Sequence, residues 1–146
     1  MAARPATAPL RFAMLGTGFW SRFQLAAWRQ LEGATCVALY DPVPGRAAAA
    51  AETMSKHSAA NLKAPTRAGA FTNLPSLLDC NPGLDFVDIV SPVEMHPQLV
   101  EAVAARGIPV ICQKPMAPSY ARAKEVRVTV GGLPVMRNMT MGPVWA

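Results

Sequence analysis

The sequence contains no apolar run that approaches the ~20 residues a membrane-spanning helix requires. Charged residues make up only 16% of the chain and hydrophobic residues 51%, which excludes the highly charged class of disordered proteins. Cysteines are few, odd in number and widely spaced, at Cys36, Cys80 and Cys112. This spacing is typical neither of zinc sites nor of a disulfide framework. We therefore predict one cytoplasmic globular domain with reduced cysteines, no metal and no membrane contact.

The first residues also lack a recognisable signal. Residues 1–11 are rich in alanine and proline but have no apolar middle segment of the kind found in secretory signal peptides. We expect residues 1–9 to form a flexible tail. A short mitochondrial targeting segment is the alternative that this composition leaves open.

The net charge of +5 raises the question of nucleic-acid binding. The excess lies at the two ends of the chain, with +2 over residues 1–12 and +4 over residues 113–146, whereas residues 13–112 carry −1. A nucleic-acid-binding domain presents a basic face on its folded part. The charge distribution therefore argues against a nucleic-acid partner.

Short apolar runs alternate with helical segments along most of the chain. Strands are predicted at residues 10–15, 35–40, 70–72, 85–90 and 108–112, and helices at 19–31, 45–60, 75–80 and 97–106. Regular alternation of strands and helices with short connections indicates a parallel sheet covered on both faces. Since crossovers are right-handed, we predict a doubly wound α/β sheet of the Rossmann type.

The end of the chain gives two conflicting patterns. A helix is indicated from Ser119, but residues 126–130 alternate with a period of two and are β-branched, which favours a strand. Residues 133–136 form a candidate sixth strand. We place the domain at residues 10–136 and expect residues 137–146 to be irregular, with Met139 and Met141 exposed.

A glycine motif follows the first strand. Gly16, Thr17, Gly18, Phe19, Trp20 and Ser21 have the form G-x-G-x-x-S. The glycines permit a tight turn and close approach of the backbone to a pyrophosphate, and the helix that follows directs free N–H groups at the anion. A small residue such as Ser21 allows this helix to pack against the strand. An ordinary glycine-containing turn is the alternative, but the position after a strand and before a helix favours dinucleotide binding.

An acidic residue ends the second strand. Asp41 lies 23 residues after Gly18, where a carboxylate accepts hydrogen bonds from a ribose 2′-hydroxyl and repels a 2′-phosphate. This position favours NAD over NADP, although Arg46 lies close enough in sequence to weaken the preference. The alternative is that Asp41 serves only the turn and the next helix.

Polar residues also follow the fourth and fifth strands. Ser91 and His96 follow the fourth strand, and Gln113 and Lys114 follow the fifth. Ligands bind at the carboxyl ends of parallel strands, so Lys114 is a candidate to hold a ribose or a substrate oxygen. His96 is a candidate general acid/base, with orientation of the next helix as the alternative. A solvated strand-end lysine is the alternative for Lys114.

Together these motifs resemble the glucose-fructose oxidoreductase, inositol dehydrogenase and rhizopine-catabolism (Gfo/Idh/MocA) family. The resemblance covers roughly residues 10–118 and rests on Gly16-Thr17-Gly18, Asp41-Pro42, Arg46-Ala47, Leu77-Leu78, Val87-Asp88-Ile89-Val90-Ser91-Pro92, His96, Ala105-Arg106-Gly107 and Lys114-Pro115. It implies an NAD(P)-dependent oxidoreductase that acts on a secondary hydroxyl of a sugar, polyol or similar compound.

The resemblance also implies where the cofactor lies. The pyrophosphate is expected at Gly16, Gly18 and the Phe19 and Trp20 amides, and the adenosine ribose near Asp41 and Arg46. The nicotinamide side is expected near Ser91, Pro92, Gln113 and Lys114, with Lys114 matching the lysine of the family's E-K-P motif.

Three departures from the family pattern stand out. Gln113 replaces the usual glutamate, which removes a negative charge beside Lys114. The segment from Lys114 to Asn138 is short, and the arginine and aromatic residue of an N-x-R-F-x-P-like run are replaced. The family's second domain, which supplies much of the substrate site, is not included in these 146 residues.

The leading hypothesis is therefore a catalytically incomplete cofactor domain. A nucleotide-binding or docking module, which self-associates or binds a full-length relative, is the second hypothesis. A methyltransferase of similar fold is the third, but Lys114-Pro115 has no role there.

Overall fold

We describe the protein from a computed structural model, which places residues 8–56, 68–129, 132 and 134–138. These residues form six strands: β1 Leu10–Leu15, β2 Ala34–Tyr40, β3 Gly69–Phe71, β4 Phe86–Ile89, β5 Val110–Gln113 and β6 Val135–Asn138. They also form five α-helices: α1 Ser21–Trp28, α2 Arg46–Lys56, α3 Leu74–Cys80, α4 His96–Ala104 and α5 Tyr120–Thr129. A single 3₁₀ turn, Val93–Met95, precedes α4.

The six strands form one sheet in the order β3-β2-β1-β4-β5-β6, and every neighbouring pair is parallel. The chain moves outward from β1 through β2 to β3, then returns to β4 on the other side of β1 and continues to β6. In a sheet whose strand order reverses in this way, between β1 and β4, ligands bind in a crevice at the carboxyl edge.

The two faces of the sheet have separate hydrophobic cores. On one face α1 and α2 pack against the residues of β1 that include Phe12 and Met14. On the other face α3, α4 and α5 cover Ala13 and Leu15, with Val126 of α5 fully buried. Adjacent residues of β1 thus alternate between two layers of helices, as expected for a strand in the middle of a doubly wound sheet.

The architecture confirms the predicted Rossmann-type α/β sheet. The prediction for β1 has the observed ends, and those for the other early elements differ by one to a few residues. Helix α1 differs more, because it begins at Ser21 and ends at Trp28. Its buried residues are Ser21 and Leu25, whereas Trp20 and Phe23, whose spacing indicated the helix, lie largely exposed.

Of the two conflicting patterns near the end of the chain, the helix from Ser119 is the one that forms, and α5 continues to Thr129. A strand at residues 126–130 would bury Val126 and Val128 on the same face, but Val126 is fully buried and Val128 is 79% exposed. The helix is anchored on α4 by an ion pair of 3.0 Å between Arg122 and Glu101. Helical packing therefore outweighs the β-branched pattern.

Strand β6 lies two residues later than predicted and includes Arg137 and Asn138, which we expected to be irregular. Residues 1–7 of the tail predicted at 1–9, and the predicted exposure of Met139 and Met141, lie outside the described residues.

Cys36 and Cys112 are buried and unpaired, as predicted. Burial raises the pKa of both thiols to about 12. Cys80 is exposed. No helix in the described part of the chain is long and apolar enough to cross a membrane.

Candidate functional site

The glycine turn connects β1 to α1 at the centre of the carboxyl edge. Gly16 has a φ of +102°, and its amide donates a hydrogen bond of 2.8 Å to the Tyr40 carbonyl at the end of β2. A Cβ atom at Gly16 would lie 2.6 Å from the carbonyl oxygen of Val90, which follows β4. Only glycine therefore allows the turn to pass this close to the end of β4.

Gly18 differs from Gly16, because a Cβ atom added there would meet no atom within 4 Å among the described residues. The small residue at this position is thus not required by packing within the domain. It leaves the backbone accessible at the start of α1, where Ser21, buried as predicted, donates a hydrogen bond of 2.6 Å to the Gly18 carbonyl. Exposed N–H groups at a helix start favour an anionic group.

Asp41 is buried and connects the glycine turn after β1 to the turn after β2. Its Oδ2 atom accepts hydrogen bonds from the Thr17 amide, at 3.0 Å, and from the Thr17 hydroxyl, at 2.8 Å. Its Oδ1 atom accepts one of 3.0 Å from the Val43 amide. The carboxylate thus supports the turn after β2, as our alternative supposed, and also holds the glycine turn.

Two clefts adjoin the glycine turn. The first, of about 480 Å³, is lined by Trp20, Val90, Ser91, Gln113 and Lys114. It brings together residues from three segments that the sequence predicted would meet. Lys114 is exposed, and Pro92 is exposed beside Ser91.

Gln113 contributes an unusual feature to this first cleft. The residue is 7% exposed, and its Nε2 atom has no hydrogen-bond partner within the described part of the chain. Because a buried amide nitrogen without an acceptor is costly, such an atom beside a cleft favours a ligand that supplies an oxygen. A dinucleotide offers such acceptors on its ribose and carboxamide groups, so the residues present fit this cofactor.

The second cleft, of about 740 Å³, lies between α1 and α2. It is lined in part by Thr17, Gly18 and Phe19, and includes Arg46 at the start of α2. Arg22 of α1 and Arg29, which follows this helix, also line the cleft, so its rim is positively charged. The predicted residue Arg46 thus lies on the glycine-turn side of the domain, apart from Ser91 and Lys114.

The structure argues against the acid/base role that we expected for His96. The side chain is 1% exposed. Its Nε2 and Nδ1 atoms each lie 2.8 Å from a backbone carbonyl oxygen, of Ser91 and Pro115 respectively. A general acid/base must reach the reacting group, whereas both nitrogens of this ring contact the protein's own backbone.

A buried carboxylate in β4 escaped the sequence analysis. Asp88 is fully buried, and its Oδ2 accepts hydrogen bonds from the Trp28 indole, at 2.6 Å, and the Gln24 amide, at 3.1 Å. Burial raises the pKa of Asp88, and these two hydrogen bonds act in the opposite direction. The available signal was a charged residue in an otherwise apolar strand, which indicates a buried polar contact.

The described residues contain no cluster of His, Cys, Asp and Glu side chains that would hold a metal ion. The combination that decides the family is a different one: a glycine turn after β1, an acid after β2 and a lysine-proline pair after β5, on a sheet of Rossmann order. The profile of the GFO_IDH_MocA family, described as an oxidoreductase family with an NAD-binding Rossmann fold, matches residues 10–135. The chain belongs to this family. It corresponds to the NAD-binding domain.

Two relatives of the chain are named as dehydrogenases, one of D-apiose and one of inositol. D-apiose dehydrogenase of Paraburkholderia graminis is 36% identical over 131 residues, which are 85% of this chain and 30% of the relative. Inositol 2-dehydrogenase of Leifsonia xyli is 36% identical over 98 residues, 67% of this chain and 25% of the relative. The chain therefore spans about a third or less of the length of these enzymes.

Solved structures show the same domain. An oxidoreductase from Agrobacterium radiobacter, in complex with NAD⁺, L-tartaric acid and magnesium, superimposes with a TM-score of 0.75 at 31% identity. The match covers 90% of this chain and 35% of that one. The WlbA dehydrogenase of Bordetella pertussis, in complex with NADH and UDP-GlcNAcA, gives a TM-score of 0.71 at 25% identity, over 84% of this chain and 33% of that one.

Proposed function

We propose that this domain binds NAD(H) in preference to NADP(H) and presents it for hydride transfer to or from a secondary alcohol of a sugar, polyol or similar compound. The observation that carries the proposal is the continuity of the glycine turn with the cleft of Ser91, Gln113 and Lys114, where a buried amide nitrogen lacks an acceptor among the described residues.

The pyrophosphate is assigned to the start of α1. The turn at Gly16 and Gly18 brings backbone amides to the carboxyl edge of the sheet, and no side chain atom of the described residues occupies the space above Gly18. Phe19 and Trp20 then contribute backbone amides rather than side chains. The positive end of the helix dipole adds to the attraction for the anion.

The adenosine ribose is assigned to the end of β2. Two lone pairs on Oδ2 of Asp41 accept from Thr17, and Oδ1 accepts a single hydrogen bond from the Val43 amide. An ionised carboxylate offers about four acceptor positions, so one remains for a ribose hydroxyl. A 2′-phosphate would face the same negative charge, which favours NAD, and Arg46 moderates this preference.

The nicotinamide half is assigned to the first cleft. When bound, NAD supplies the hydride acceptor of the reaction. Lys114 offers a cation to the nicotinamide ribose or to the substrate oxygen, where it would stabilise a developing alkoxide. Gln113 offers its Nε2, which has no partner among the described residues, to a cofactor oxygen. Ser91 lines the same cleft, and Pro92 is exposed beside it.

The substrate class is proposed from the relatives, which are named as dehydrogenases of apiose and inositol. Because the chain spans only about a third of their length, we propose that residues outside these 146 complete the substrate site. On this proposal the chain alone binds cofactor and is catalytically incomplete. The reduced cysteines are in keeping with the predicted cytoplasmic location.

The test is a titration of the purified chain with NADH and NADPH, followed by energy transfer from Trp20 and Trp28 to the reduced nicotinamide. We expect saturable binding with NADH favoured. Asp41→Asn should reduce the preference for NADH over NADPH. Glu32→Gln, an exposed position at the opposite edge of the sheet, should leave this preference unchanged. A folded chain that binds neither cofactor would overturn the proposal and favour the docking hypothesis.

A further inference from the structure

We propose that His96 is a positioning residue that joins the two loops forming the nicotinamide side of the site. The inference rests on the proposed function, because it concerns how that cleft keeps its shape. His96 contacts the carbonyl oxygen of Ser91 through Nε2 and that of Pro115 through Nδ1, both at 2.8 Å. Ser91 itself lines the cleft, and Pro115 is bonded to Lys114, which also lines it.

The sheet alone does not fix these two loops. Strands β4 and β5 are paired in parallel up to Ile89 and Cys112, and the ladder ends there. Ser91 lies two residues beyond the last paired residue of β4, and Pro115 lies three beyond that of β5. The two segments therefore emerge side by side at the same edge without strand pairing between them, and the His96 ring spans the space that separates them.

Helix α4 gives the ring a rigid support. His96 is the first residue of this helix, and Leu99, Val100 and Val103 of the same helix are buried in the core beneath the sheet. The side chain is itself 1% exposed, so it has little freedom to leave its place. Helix α4 thereby supports both the loop after β4 and the loop after β5.

The chemistry of the ring suits this arrangement. Both partners are carbonyl oxygens, which only accept hydrogen bonds. The hydrogens of the ring decide how many of the two contacts are hydrogen bonds: the neutral ring donates to one carbonyl, and the imidazolium donates to both. A leucine of similar size would leave both oxygens without this donor, and the two loops would no longer be tied to each other.

The first experiment compares the binding of NADH and of ADP-ribose, which lacks the nicotinamide. We expect His96→Leu to raise the dissociation constant for NADH about tenfold or more, and that for ADP-ribose much less. For His96→Gln, whose amide can donate to one of the two carbonyls, the dissociation constant for NADH should lie between those of His96→Leu and the parent chain. The matched control is Val100→Ala, which creates a cavity in the same helix and should affect both ligands equally.

Measurements are made below the unfolding temperature of every variant. If His96→Leu weakens the binding of NADH and of ADP-ribose to the same extent, as we expect of Val100→Ala, the positioning role is overturned. Failure of the parent chain to bind ADP-ribose would instead count against the proposed function, so the two failures are distinguishable.

A second measurement depends neither on ligand binding nor on a substitution of His96. The chain has two histidines, so His57→Ala leaves His96 as the source of the imidazole signals in a ¹⁵N-resolved NMR spectrum. We expect a ring N–H signal of His96 that is protected from exchange with water, because a backbone carbonyl accepts its hydrogen. Ring N–H groups that all exchange freely with water would overturn the bridge.

Discussion

Thr17 in the glycine turn gives the carboxylate of Asp41 two hydrogen bonds, one from its amide and one from its hydroxyl, across 24 residues of sequence. The turn after β1 and the turn after β2 are thus tied by one buried side chain. On the proposed binding mode these turns hold the pyrophosphate and the adenosine ribose. The link therefore presets the spacing between two parts of the cofactor site.

Thr17→Val tests this link by removing the hydroxyl while keeping the shape of the side chain. We expect the free energy of unfolding to fall by about 1–3 kcal/mol, because a hydrogen bond to a charged group is lost. Thr17→Ser keeps the hydroxyl and should retain most of the stability. Urea unfolding of the three proteins measures both effects, and equal losses in Val and Ser would contradict the role of the hydroxyl.

The two glycines of the turn should respond differently to alanine. Gly16→Ala places a Cβ atom against Val90 in a backbone conformation unfavourable for alanine, so we expect a loss of at least about 2 kcal/mol in stability. Gly18→Ala meets no such atom, so stability should change by less than about 1 kcal/mol. Because the new methyl group would stand where the pyrophosphate approaches, NADH should bind about tenfold more weakly or worse.

Thermal unfolding and NADH titration of the same two variants separate these outcomes. A Gly18→Ala protein that is stable and binds NADH as the parent does would show that this glycine is not part of the phosphate site. A stable Gly16→Ala protein would show that the turn can move away from β4.

The parallel, doubly wound sheet could be predicted because short apolar runs closed by turn residues alternate with helical segments. The glycine turn, Asp41 and Lys114 could be placed at one edge since parallel strands end on the same side. These inferences need only local pattern and the direction of the strands.

Other features depend on partners that are distant in sequence. Residues 126–130 carry a strand-like pattern, and only contact with α4 selects the helix. His96 has the residue type of an acid/base, and only the fold shows that two backbone carbonyls surround it. The pairing of Asp88 with Trp28 joins residues 60 apart, and neither residue's neighbours in sequence indicate the other.

Asp88 predicts a particular dependence of stability on pH. Burial raises the pKa of Asp88 in the folded protein above its ordinary value of 3.8. Between that value and the raised one, the folded state binds more protons than the unfolded state, so this carboxyl makes the free energy of unfolding fall as pH rises. Asp88→Asn lacks this component, so the stability of the variant minus that of the parent should increase with pH and then level off.

Urea unfolding at a series of pH values gives this difference curve. Glu94→Gln, which removes an exposed carboxylate, controls for the loss of one negative charge. A difference curve for Asp88→Asn that does not change with pH would mean that the carboxyl titrates alike in the folded and unfolded chains.

Lys114 should act on only one half of the cofactor. It lines the cleft with Ser91 and Gln113, whereas the glycine turn serves the pyrophosphate. We expect Lys114→Met to weaken the binding of NADH about tenfold, because a charged hydrogen bond to the nicotinamide half is lost. The binding of ADP-ribose should remain nearly unchanged. Gly18→Ala should weaken both ligands. Lys124→Met, on the exposed side of α5 where the ammonium lies over the Tyr120 ring, removes the same charge elsewhere and should alter neither.

Equal weakening of NADH binding by the two lysine variants would mean that Lys114 contributes only through the net charge. If Lys114→Met weakened the binding of NADH and of ADP-ribose equally, this lysine would contact the pyrophosphate and not the nicotinamide half. Selective weakening of NADH would support the assignment of the nicotinamide to the loops after β4 and β5.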